Sequence, residues 1–420
     1  MSLFSFQGVI VLGLMDEVWV NVLKAEEVLK KAIHETPIDY SSTYSRMTGS
    51  RVFLKLENLQ KTGSFKVRGA YYKIWSLPAG SKKGVVAASA GNHAQGVAYA
   101  SSHQGIQAVI VMPETAPISK IEATKNYGAD VVLYGRIYDE AYRKALSIAE
   151  EEGYSFIHPF DDPMVIAGQG TVLLEASKQL KEPPSRIVVP VGGGGLISGV
   201  SVVARKLWGD HVKVVGVEPS YAAKYSVSLR EGRPVAVEAR PGIMDGLVVK
   251  KPGKYTFEII SELVDDIVTV DDKEVSHAIY MLLERNKTLA EGAGAAPLAA
   301  LLSGKLGLKQ GESVLLLISG GNIDATRLLR VLNYELGRSH RIVRLEGLIP
   351  DHPGSLSEAL SIFARARLNI IDIRHDRVST VLEPGWAKIE VYAEAPSEKA
   401  VNDVLEELNG KGFPFRVMKF

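Results

Sequence analysis

The stretch KTGSFKVRGA, residues 61–70, places the amine of Lys66 directly after the aromatic ring of Phe65. A lysine packed against a ring can be kept from water, and a desolvated amine loses its proton more readily and can attack a carbonyl carbon. Two interpretations therefore stand. Lys66 is either a solvated surface charge or the residue that holds a carbonyl cofactor as a Schiff base.

A run of four glycines at residues 192–195, within VGGGGLISG, lies between a predicted strand and a predicted helix. Without Cβ atoms, consecutive backbone N–H groups can close around an anion, and the positive end of the helix adds to that attraction. The spacing matches neither the P-loop nor the dinucleotide-binding fingerprint. The run predicts a cup for the phosphate of another kind of cofactor, with a plain tight turn as the alternative.

Two further polar stretches follow predicted strands, SAGNHAQG at 89–96 and SGGN at 319–322. Ser89, Asn92 and the N–H groups of a helix start could bind a carboxylate, whereas His93 alone is more typical of a packed, hydrogen-bonding histidine than of a base or metal ligand. Ligands of doubly wound sheets gather at the carboxyl ends of the strands, so these stretches and the glycine run are expected to face one site. A phosphorylated cofactor bound through Lys66 fits that arrangement.

The elements that must position these residues alternate regularly. Short runs rich in Val and Ile, such as GVVAAS, QAVIVM and DVVLYG, are each followed by a helical pattern, and the alternation resumes at 185–191, 212–219 and 313–321. This rhythm predicts βαβ units around buried parallel sheets. We expect an α/β catalytic region at residues 1–335, with a smaller lobe at about 60–160 inserted in a larger one.

After residues 333–341 the pattern changes to strand, helix, strand, strand, helix, strand. This βαββαβ order is that of a ferredoxin-like module, and residues 340–420 have the size of a separate domain.

The composition narrows the class of partner. With 49 Lys and Arg against 48 Asp and Glu, no overall field attracts nucleic acid or a membrane surface, so small molecules and the chain's own subunits are the expected partners. There is no cysteine and no H-E-x-x-H motif, hence no disulfide, thiolate or metal site is predicted, and a cytoplasmic location is expected. The apolar run VIVLGL near the start is too short to span a bilayer and predicts a packed N-terminal segment rather than a signal peptide.

Six motifs occur in order and together closely resemble the threonine dehydratases, or threonine ammonia-lyases, which are pyridoxal-phosphate enzymes of the tryptophan-synthase β type, fold type II. They are ENLQKTGSFKVRGA (57–70), SAGNHAQGVA (89–98), VGGGGLISG (191–199), DGLVVKKPG (245–253), EGAGA (291–295) and SGGN (319–322). The resemblance implies deamination of L-threonine to 2-oxobutanoate and ammonia, and of L-serine to pyruvate.

The resemblance also implies a role for particular residues. Lys66 would carry the cofactor as the Schiff base and act as the base, and Ser319 would meet the pyridine nitrogen. The remaining implied contacts are the phosphate cup of Gly192, Gly193, Gly194, Gly195 and Leu196, the ring contacts of Phe65, Asn92, Gly246 and Glu291, and the substrate-carboxylate loop of Ser89, Ala90, Gly91, Asn92 and His93.

Related families differ at three positions. Cysteine and threonine synthases carry an acidic residue after the lysine, where Val67 stands, and serine racemases carry a serine where Ala90 stands. Racemase-like relatives bind a divalent cation through two carboxylates, but the second is replaced here by Lys224, six residues after Glu218. Dehydration without a divalent ion is therefore expected.

The C-terminal module resembles an ACT domain, a family that binds amino acids at the turn after its first strand. Asp351, Pro353, Gly354 and Leu356 match that turn, which implies feedback control by an amino acid such as isoleucine, with subunit pairing alone as the alternative. A homodimer or homotetramer is expected. The competing functions are a serine racemase, a 3-hydroxyaspartate dehydratase and, from another class, a non-catalytic amino-acid sensor.

Overall fold

The computed structural model describes residues 3–379 and 382–418, with side chains from residue 13 onward. The chain divides into two compact units, Met1–Asp324 and Ala325–Phe420. The strands are β1 (Ile38–Tyr40), β2 (Arg51–Leu56), β3 (Val85–Ala88), β4 (Ala108–Met112), β5 (Asp130–Leu133), β6 (Ser155–Phe156), β7 (Arg186–Pro190), β8 (Lys213–Pro219), β9 (Asp266–Val270), β10 (Ser313–Ile318), β11 (Ile342–Pro350), β12 (Asn369–Asp376), β13 (Trp386–Glu394) and β14 (Phe415–Met418).

Helices accompany these strands along the chain in both units. They are α1 (Leu3–Leu29), α2 (Ser42–Thr48), α3 (Lys66–Trp75), α4 (Asn92–His103), α5 (Ile118–Asn126), α6 (Tyr138–Glu152), α7 (Pro163–Gln179), α8 (Gly195–Trp208), α9 (Lys224–Glu231), α10 (Lys254–Leu263), α11 (Asp272–Met281), α12 (Gly292–Leu302), α13 (Ala325–Arg338), α14 (Ser355–Arg365) and α15 (Glu398–Gly410).

The first unit contains two sheets. The larger has the strand order β1-β2-β10-β7-β8-β9, with every neighbouring pair parallel except β1 and β2. The smaller has the order β5-β4-β3-β6 and is parallel throughout. Central strands such as β10 are buried along their whole length, as expected when helices cover both faces of a parallel sheet. The predicted fold class is confirmed.

Helix α7 is the central helix of the larger lobe, and it begins at a strong sequence signal. Asp162 caps its first turn by accepting hydrogen bonds from the N–H groups of Met164 and Val165, and Pro163 occupies the first helical position, where a missing N–H costs nothing. The helix packs against α1, α3 and α8.

Glycines let α7 approach two of these helices at backbone distance. A Cβ at Gly168 would lie 2.6 Å from the Cα of Gly69 in α3, and a Cβ at Gly199 in α8 would lie 2.5 Å from the backbone nitrogen of Gly170 in α7. No side chain fits at these crossings. The backbones of α3, α7 and α8 are therefore in direct contact.

The second unit has an antiparallel sheet of order β12-β13-β11-β14. Alternate residues of β11 and β13 are buried, and they form one apolar core with Ile362 and Phe363 of α14 and Leu408 of α15. The order β11, α14, β12, β13, α15, β14 confirms the βαββαβ prediction within the described residues; the last two residues of the predicted final strand, 419 and 420, lie outside them.

Helices α1 and α13 are among those that the sequence analysis did not predict. The apolar start of the chain belongs to α1, in which the side chains of Val18, Val22 and Ala25 are buried. The side chains of residues 1–12, which include part of the predicted packed segment, lie outside the described part of the chain. The stretch at 333–341, expected to be a linker, lies mostly in α13, a helix of the second unit. Helix α1 has no preceding strand among the described residues, so the βαβ rhythm gave no signal for it, whereas α13 follows β10 and is amphipathic.

Candidate active site

The site residues lie where parallel strands end. Strand β2 leads to the turn before Lys66, β7 to the glycine run, β10 to the SGGN stretch and β3 to the SAGN stretch. The carboxyl ends of β2, β7 and β10 share one edge of the larger sheet. Strand β3 belongs to the smaller sheet, and Asn92 after it reaches the same place through hydrogen bonds with Glu291 and Asn322.

Lys66 is the first residue of α3, and its amine is half-buried. The Nζ atom donates a hydrogen bond to the backbone oxygen of Pro159 at 2.8 Å and lies 5.4 Å from the centre of the Phe65 ring. Desolvation lowers the pKa of Lys66 from 10.5 to about 8, although the nearby Glu291 carboxylate acts in the opposite direction. A usable fraction of the amine is therefore neutral near neutral pH.

The segment at residues 157–161 forms one wall around this amine. Besides Pro159, it supplies the backbone oxygen of Ile157, which lies 2.9 Å from Nε2 of His93. Burial lowers the pKa of His93 to about 3, and the charge of Lys66 adds to that effect. His93 is thus a buried, neutral histidine that fixes the start of α4, as its sequence context favoured.

The glycine run turns from β7 into α8. The described residues supply no hydrogen-bond acceptor to the backbone N–H groups of residues 192–196. A Cβ at Gly193 would lie 2.1 Å from the Phe160 ring, and Gly194, with φ of +93°, would place a Cβ 2.3 Å from the hydroxyl of Tyr225. Free donors in a strand-to-helix turn that admits no side chain suit a phosphate.

Asn92 and Glu291 meet across the site. The Asn92 amide Nδ2 donates to Glu291 Oε1 at 2.5 Å, and the Glu291 backbone N–H donates to the oxygen of Gly320 at 3.0 Å. A Cβ at Gly320 would lie 2.6 Å from Glu291 Oε1. The glycine in SGGN is therefore needed for the close approach of Glu291.

The SGGN stretch also pairs with the turn before Lys66. The Phe65 N–H donates to the Ser319 oxygen at 3.1 Å, and Ser64 and Gly320 form an isolated antiparallel bridge. The Ser64 hydroxyl is buried without a hydrogen-bond partner, and the Ser319 hydroxyl makes no hydrogen bond to any described residue. Two hydroxyls in the site thus remain available to a ligand.

The loop at residues 89–93 also exposes donors. The Ser89 hydroxyl accepts from the Gly91 N–H at 3.1 Å, which bends the loop into the start of α4. Among the described residues, the N–H groups of Ala90, Asn92 and His93 have no acceptor. Such a helix start can bind a carboxylate.

Gly246 lies in the 3-10 turn Asp245–Leu247, and a Cβ at this position would be 3.3 Å from the Cβ of Ala293.

A buried ion pair lies beside the glycine run. Lys224 Nζ is 2.9 Å from Glu218 Oε1, and both side chains are fully buried. The same amine donates to the backbone oxygens of Val191 at 3.1 Å and Leu247 at 3.5 Å. Desolvation lowers the pKa of Lys224, opposed by the Glu218 charge. One carboxylate and two backbone carbonyls therefore surround the Lys224 amine.

A second buried network lies beneath α3. Arg68 donates to Glu57 through Nε and one terminal nitrogen, each at 2.8 Å, and to Glu175 at 3.0 Å. Lys55 also donates to Glu175, at 2.6 Å, and Thr36 donates to Glu57. The two cations and two carboxylates balance, and they anchor the helix that carries Lys66 only two residues before Arg68.

The predicted effector residues lie in the second unit, after β11. Gly354 has φ of +99° and precedes α14, and the Asp351 carboxylate accepts from Nε of Arg377 at 2.7 Å. The hydrogen bond from Arg377 lowers the pKa of Asp351. Pro353 directly precedes Gly354 in this turn, and Leu356 lies in the first turn of α14.

Three residues of the site escaped the sequence analysis. Pro159 acts through its backbone and Tyr225 through a hydroxyl that donates to the oxygen of Gly193 at 2.8 Å, so neither had a motif. Asn322 was visible within SGGN but was given no role.

Within the described residues there is no cluster of three or more metal-ligating side chains and no helix long and apolar enough to cross a membrane.

Comparisons with known proteins agree with this geometry. A family model described as pyridoxal-phosphate dependent enzyme matches residues 29–320. An L-threonine ammonia-lyase of Thermotoga maritima is 48% identical over 399 residues, which cover 95% of this chain and 98% of that enzyme.

Solved structures show the same similarity. The processed form of threonine deaminase isoform 2 from Solanum lycopersicum has a TM-score of 0.73 at 38% identity, covering 76% of this chain and 92% of that chain. Maize serine racemase has a TM-score of 0.71 at 34% identity, covering 77% of this chain and 98% of that chain.

Proposed function

The chain belongs to the family of pyridoxal-phosphate-dependent enzymes, and on that premise we propose that it converts L-threonine into 2-oxobutanoate and ammonia. L-serine, which lacks only the methyl group, is the expected second substrate, with pyruvate as product. The observation that carries the proposal is the desolvated amine of Lys66 between Pro159 and Glu291, with free N–H groups at two helix starts nearby.

The residues present fit the cofactor. Gly192, Gly193, Gly194, Gly195 and Leu196 would hold the phosphate through N–H groups that have no protein acceptor, and Lys66 would hold the aldehyde carbon. Asn92 and Glu291, which are hydrogen-bonded to each other, would contact the ring, and Phe65 and Gly246 would flank it. The Ser319 hydroxyl would meet the pyridine nitrogen. When bound, the cofactor supplies the electron sink that makes the Cα hydrogen of the substrate acidic.

The protein's own contribution begins with substrate binding. The free N–H groups of Ala90, Asn92 and His93, at the positive end of α4, would bind the substrate carboxylate in the loop from Ser89 to His93. Because His93 is neutral and bonded to Ile157, it would shape this loop rather than supply charge. The substrate's Cα is thereby fixed relative to Lys66.

Proton transfer falls to Lys66. Once released by the incoming substrate amine, its amine would take the Cα proton, and its pKa of about 8 suits a base that works near neutral pH. The Cβ hydroxyl would leave as water with one proton, and tautomerisation and hydrolysis of the released enamine would give 2-oxobutanoate and ammonia. The Ser319 hydroxyl, unlike a carboxylate, would not hold the ring nitrogen protonated, so the bound cofactor would supply a weaker electron sink, which suits elimination.

The structure's likeness to a serine racemase makes racemisation the nearest rival, followed by dehydration of a 3-hydroxyaspartate. Racemisation needs a donor that returns a proton to the opposite face of Cα. Ala90, at the position where racemases carry a serine, has no group that could do so. A non-catalytic sensor is disfavoured because Lys66, Asn92, the glycine cup and Ser319 are all present.

The test is the formation of 2-oxobutanoate from L-threonine by the purified enzyme with pyridoxal phosphate, in parallel with L-serine and with Lys66→Ala. We expect oxo acid from the wild type and none from the variant. Cofactor bound through Lys66 without oxo acid from either substrate would reject the lyase function and direct attention to racemisation.

We further propose that the second unit is an ACT domain whose turn at Asp351, Pro353, Gly354 and Leu356 binds an amino acid. The support is local: Gly354 has a left-handed conformation directly before α14, and the N–H groups of a first helical turn have no acceptor within the helix. Titration of the activity with isoleucine, in the wild type and in Asp351→Ala, tests this proposal. Inhibition that is equal in both proteins, or absent, would contradict it.

Assembly and location complete the proposal. Val20 and Leu23 of α1 and Leu329 of α13 are large apolar side chains left exposed, which supports a homodimer or homotetramer in which they are covered. Sedimentation of the purified chain would give the number of subunits. A cytoplasmic enzyme would meet free L-threonine and the cofactor together, and we propose that location.

A further inference from the structure

Asn322, the last residue of the SGGN stretch, bridges two segments of the active site. Its Nδ2 donates one hydrogen bond to the backbone oxygen of Thr62 at 2.7 Å and another to Oδ1 of Asn92 at 2.8 Å. Thr62 lies in the turn before Lys66, whereas Asn92 is the first residue of α4. A single amide group thus joins the end of β10 to both.

These hydrogen bonds fix which way each amide points. A backbone oxygen only accepts, so Asn322 must direct its N–H group toward Thr62. The Asn92 oxygen then faces Asn322, and the Asn92 N–H group must face the other way, where it donates to Glu291 Oε1 at 2.5 Å. In this series of hydrogen bonds, from Thr62 through Asn322 and Asn92 to Glu291, each amide group therefore has only one possible orientation. A backbone oxygen fixes the orientation at one end and a carboxylate fixes it at the other.

Asn322 also holds an unfavourable backbone turn. Thr62 is β-branched yet has φ of +63°, and Gly63 follows with φ of +71°. Such a conformation persists only where its surroundings enforce it. The Asn322 amide on the Thr62 oxygen, and the Gly321 N–H on the Gly63 oxygen at 2.9 Å, provide that restraint. The Asn322 oxygen lies so close to Gly63 that a Cβ there would be 2.3 Å away.

We propose that Asn322 is a positioning residue that makes Asn92 present its N–H group, and not its oxygen, to the cofactor side of the site, while holding the turn that presents Lys66. The inference rests on the proposed function, since only a bound pyridoxal phosphate gives that orientation its chemical meaning. The inference concerns the N–H group that Asn92 presents beside Glu291. It assigns Asn322 no contact with the substrate.

The decisive variant is Asn322→Asp, which has the same shape but only accepts hydrogen bonds. Its carboxylate would repel the Thr62 oxygen and would attract the Asn92 N–H group, so the Asn92 oxygen would turn toward Glu291. Asn402→Asp, on an exposed position of α15, makes the same change of charge away from the site and serves as the matched control.

The measurements are the affinity for pyridoxal phosphate, the visible absorbance of the bound cofactor as a function of pH at saturation, and kcat and KM. For Asn322→Asp we expect about tenfold weaker cofactor binding, the scale of one lost hydrogen bond, together with a displaced midpoint of the pH-dependent absorbance and a lower kcat. Asn402→Asp should match the wild type. A purely structural role would not move the midpoint at saturation.

Asn322→Ala guards against misfolding of the aspartate variant. It removes the donor without adding a repulsive acceptor, so a smaller displacement of the same midpoint is expected. Wild-type affinity, midpoint and kcat in either folded variant would overturn the proposal. If the wild type binds the cofactor but forms no oxo acid, the proposed function fails, and the absorbance comparison still decides the role of Asn322.

Discussion

The amine of Lys66 donates to the backbone oxygen of Pro159 at 2.8 Å, which directs it into the site while its surroundings keep it poorly solvated. A backbone oxygen holds the amine in place without adding a negative charge. The desolvation cost of the ammonium is therefore not offset at this contact, and the pKa of Lys66 stays low.

The first prediction concerns the pH at which Lys66 reacts. Only the neutral amine attacks an aldehyde, so the rate at which the apo-enzyme captures pyridoxal phosphate should rise with pH to a midpoint near the Lys66 pKa of about 8. Stopped-flow absorbance measures this rate, and Lys66→Ala should give no adduct that borohydride can fix. A midpoint near 10.5, the ordinary value for lysine, would show that the amine is solvated.

The second prediction concerns Glu291. Its negative charge raises the pKa of Lys66, so Glu291→Gln should move the midpoint of cofactor capture to lower pH. The glutamine oxygen can still accept from Asn92, which preserves the geometry. The same stopped-flow series measures the change, and a midpoint that moves upward would contradict the assigned direction.

The third prediction concerns the ion pair of Lys224 and Glu218. Because the ammonium already satisfies Glu218 and two backbone oxygens, EDTA should leave the wild-type activity unchanged. Lys224→Met should cost about 3–5 kcal/mol in the free energy of unfolding, since it leaves a buried carboxylate unpaired.

A complementary variant at the same position tests the same idea by gain of function. Lys224→Asp would combine two carboxylates with the oxygens of Val191 and Leu247, a set of ligands suited to magnesium. Magnesium should raise the melting temperature of this variant and leave that of the wild type unchanged. A wild type that loses activity in EDTA and regains it with magnesium would refute the interpretation.

The fourth prediction concerns Gly194. With φ of +93° and a Cβ position 2.3 Å from the Tyr225 hydroxyl, Gly194→Ala combines backbone strain with a steric clash. We expect a loss of about 2–5 kcal/mol in the free energy of unfolding and weakened cofactor binding. Gly80→Ala, at a position with no atom within 4 Å of the Cβ and no positive φ, should be nearly neutral in urea unfolding.

The fifth prediction concerns stability in acid. Burial acts to raise the pKa of Glu57, but the charge and hydrogen bond of Arg68, together with Lys55 and Thr36, outweigh burial and hold that pKa below 4.5. A carboxyl with a lowered pKa stabilises the fold above its unfolded-state value, and this contribution is lost as the pH falls through the folded-state value. The free energy of unfolding should therefore decline below about pH 4.5, as measured by urea unfolding at several pH values.

Two variants distinguish the contribution of Glu57 to acid sensitivity from that of the other carboxyl groups. Glu57→Gln should be about 3 kcal/mol less stable near neutral pH, because Arg68 loses a buried partner, and its stability should fall less steeply in acid. Glu262→Gln, on an exposed position of α10, should retain the wild-type slope. An unchanged slope in Glu57→Gln would remove this pair as a source of acid sensitivity.

The sequence predicted those strands and helices whose residue types form a local pattern. Strands such as β4 and β10 are continuous Val- and Leu-rich runs, and their identity followed from composition alone. The order of the strands in the larger sheet, with β2 next to β10, joins segments more than two hundred residues apart, and no local pattern specifies such a pairing.

The same limit explains the site. Lys66 and the glycine run could be identified because their residue types are themselves the signal. The acceptor at Pro159 is a backbone oxygen, which every residue carries, and the restraint from Asn322 depends on the left-handed conformation of Thr62. Neither the backbone contact nor the backbone conformation can be predicted from the residue types alone.

The crossings of α7 with α3 and α8 have a consequence for how this enzyme could be altered. Gly69 and Gly168, like Gly170 and Gly199, leave no room for even one methyl group, so a substitution there would push α7 away from α3, which begins with Lys66, or from α8, which begins in the glycine run. Their separation is set by bare backbone, with no side chain whose rotamer could adjust it. A mutational library aimed at new substrates should therefore keep these four positions as glycine.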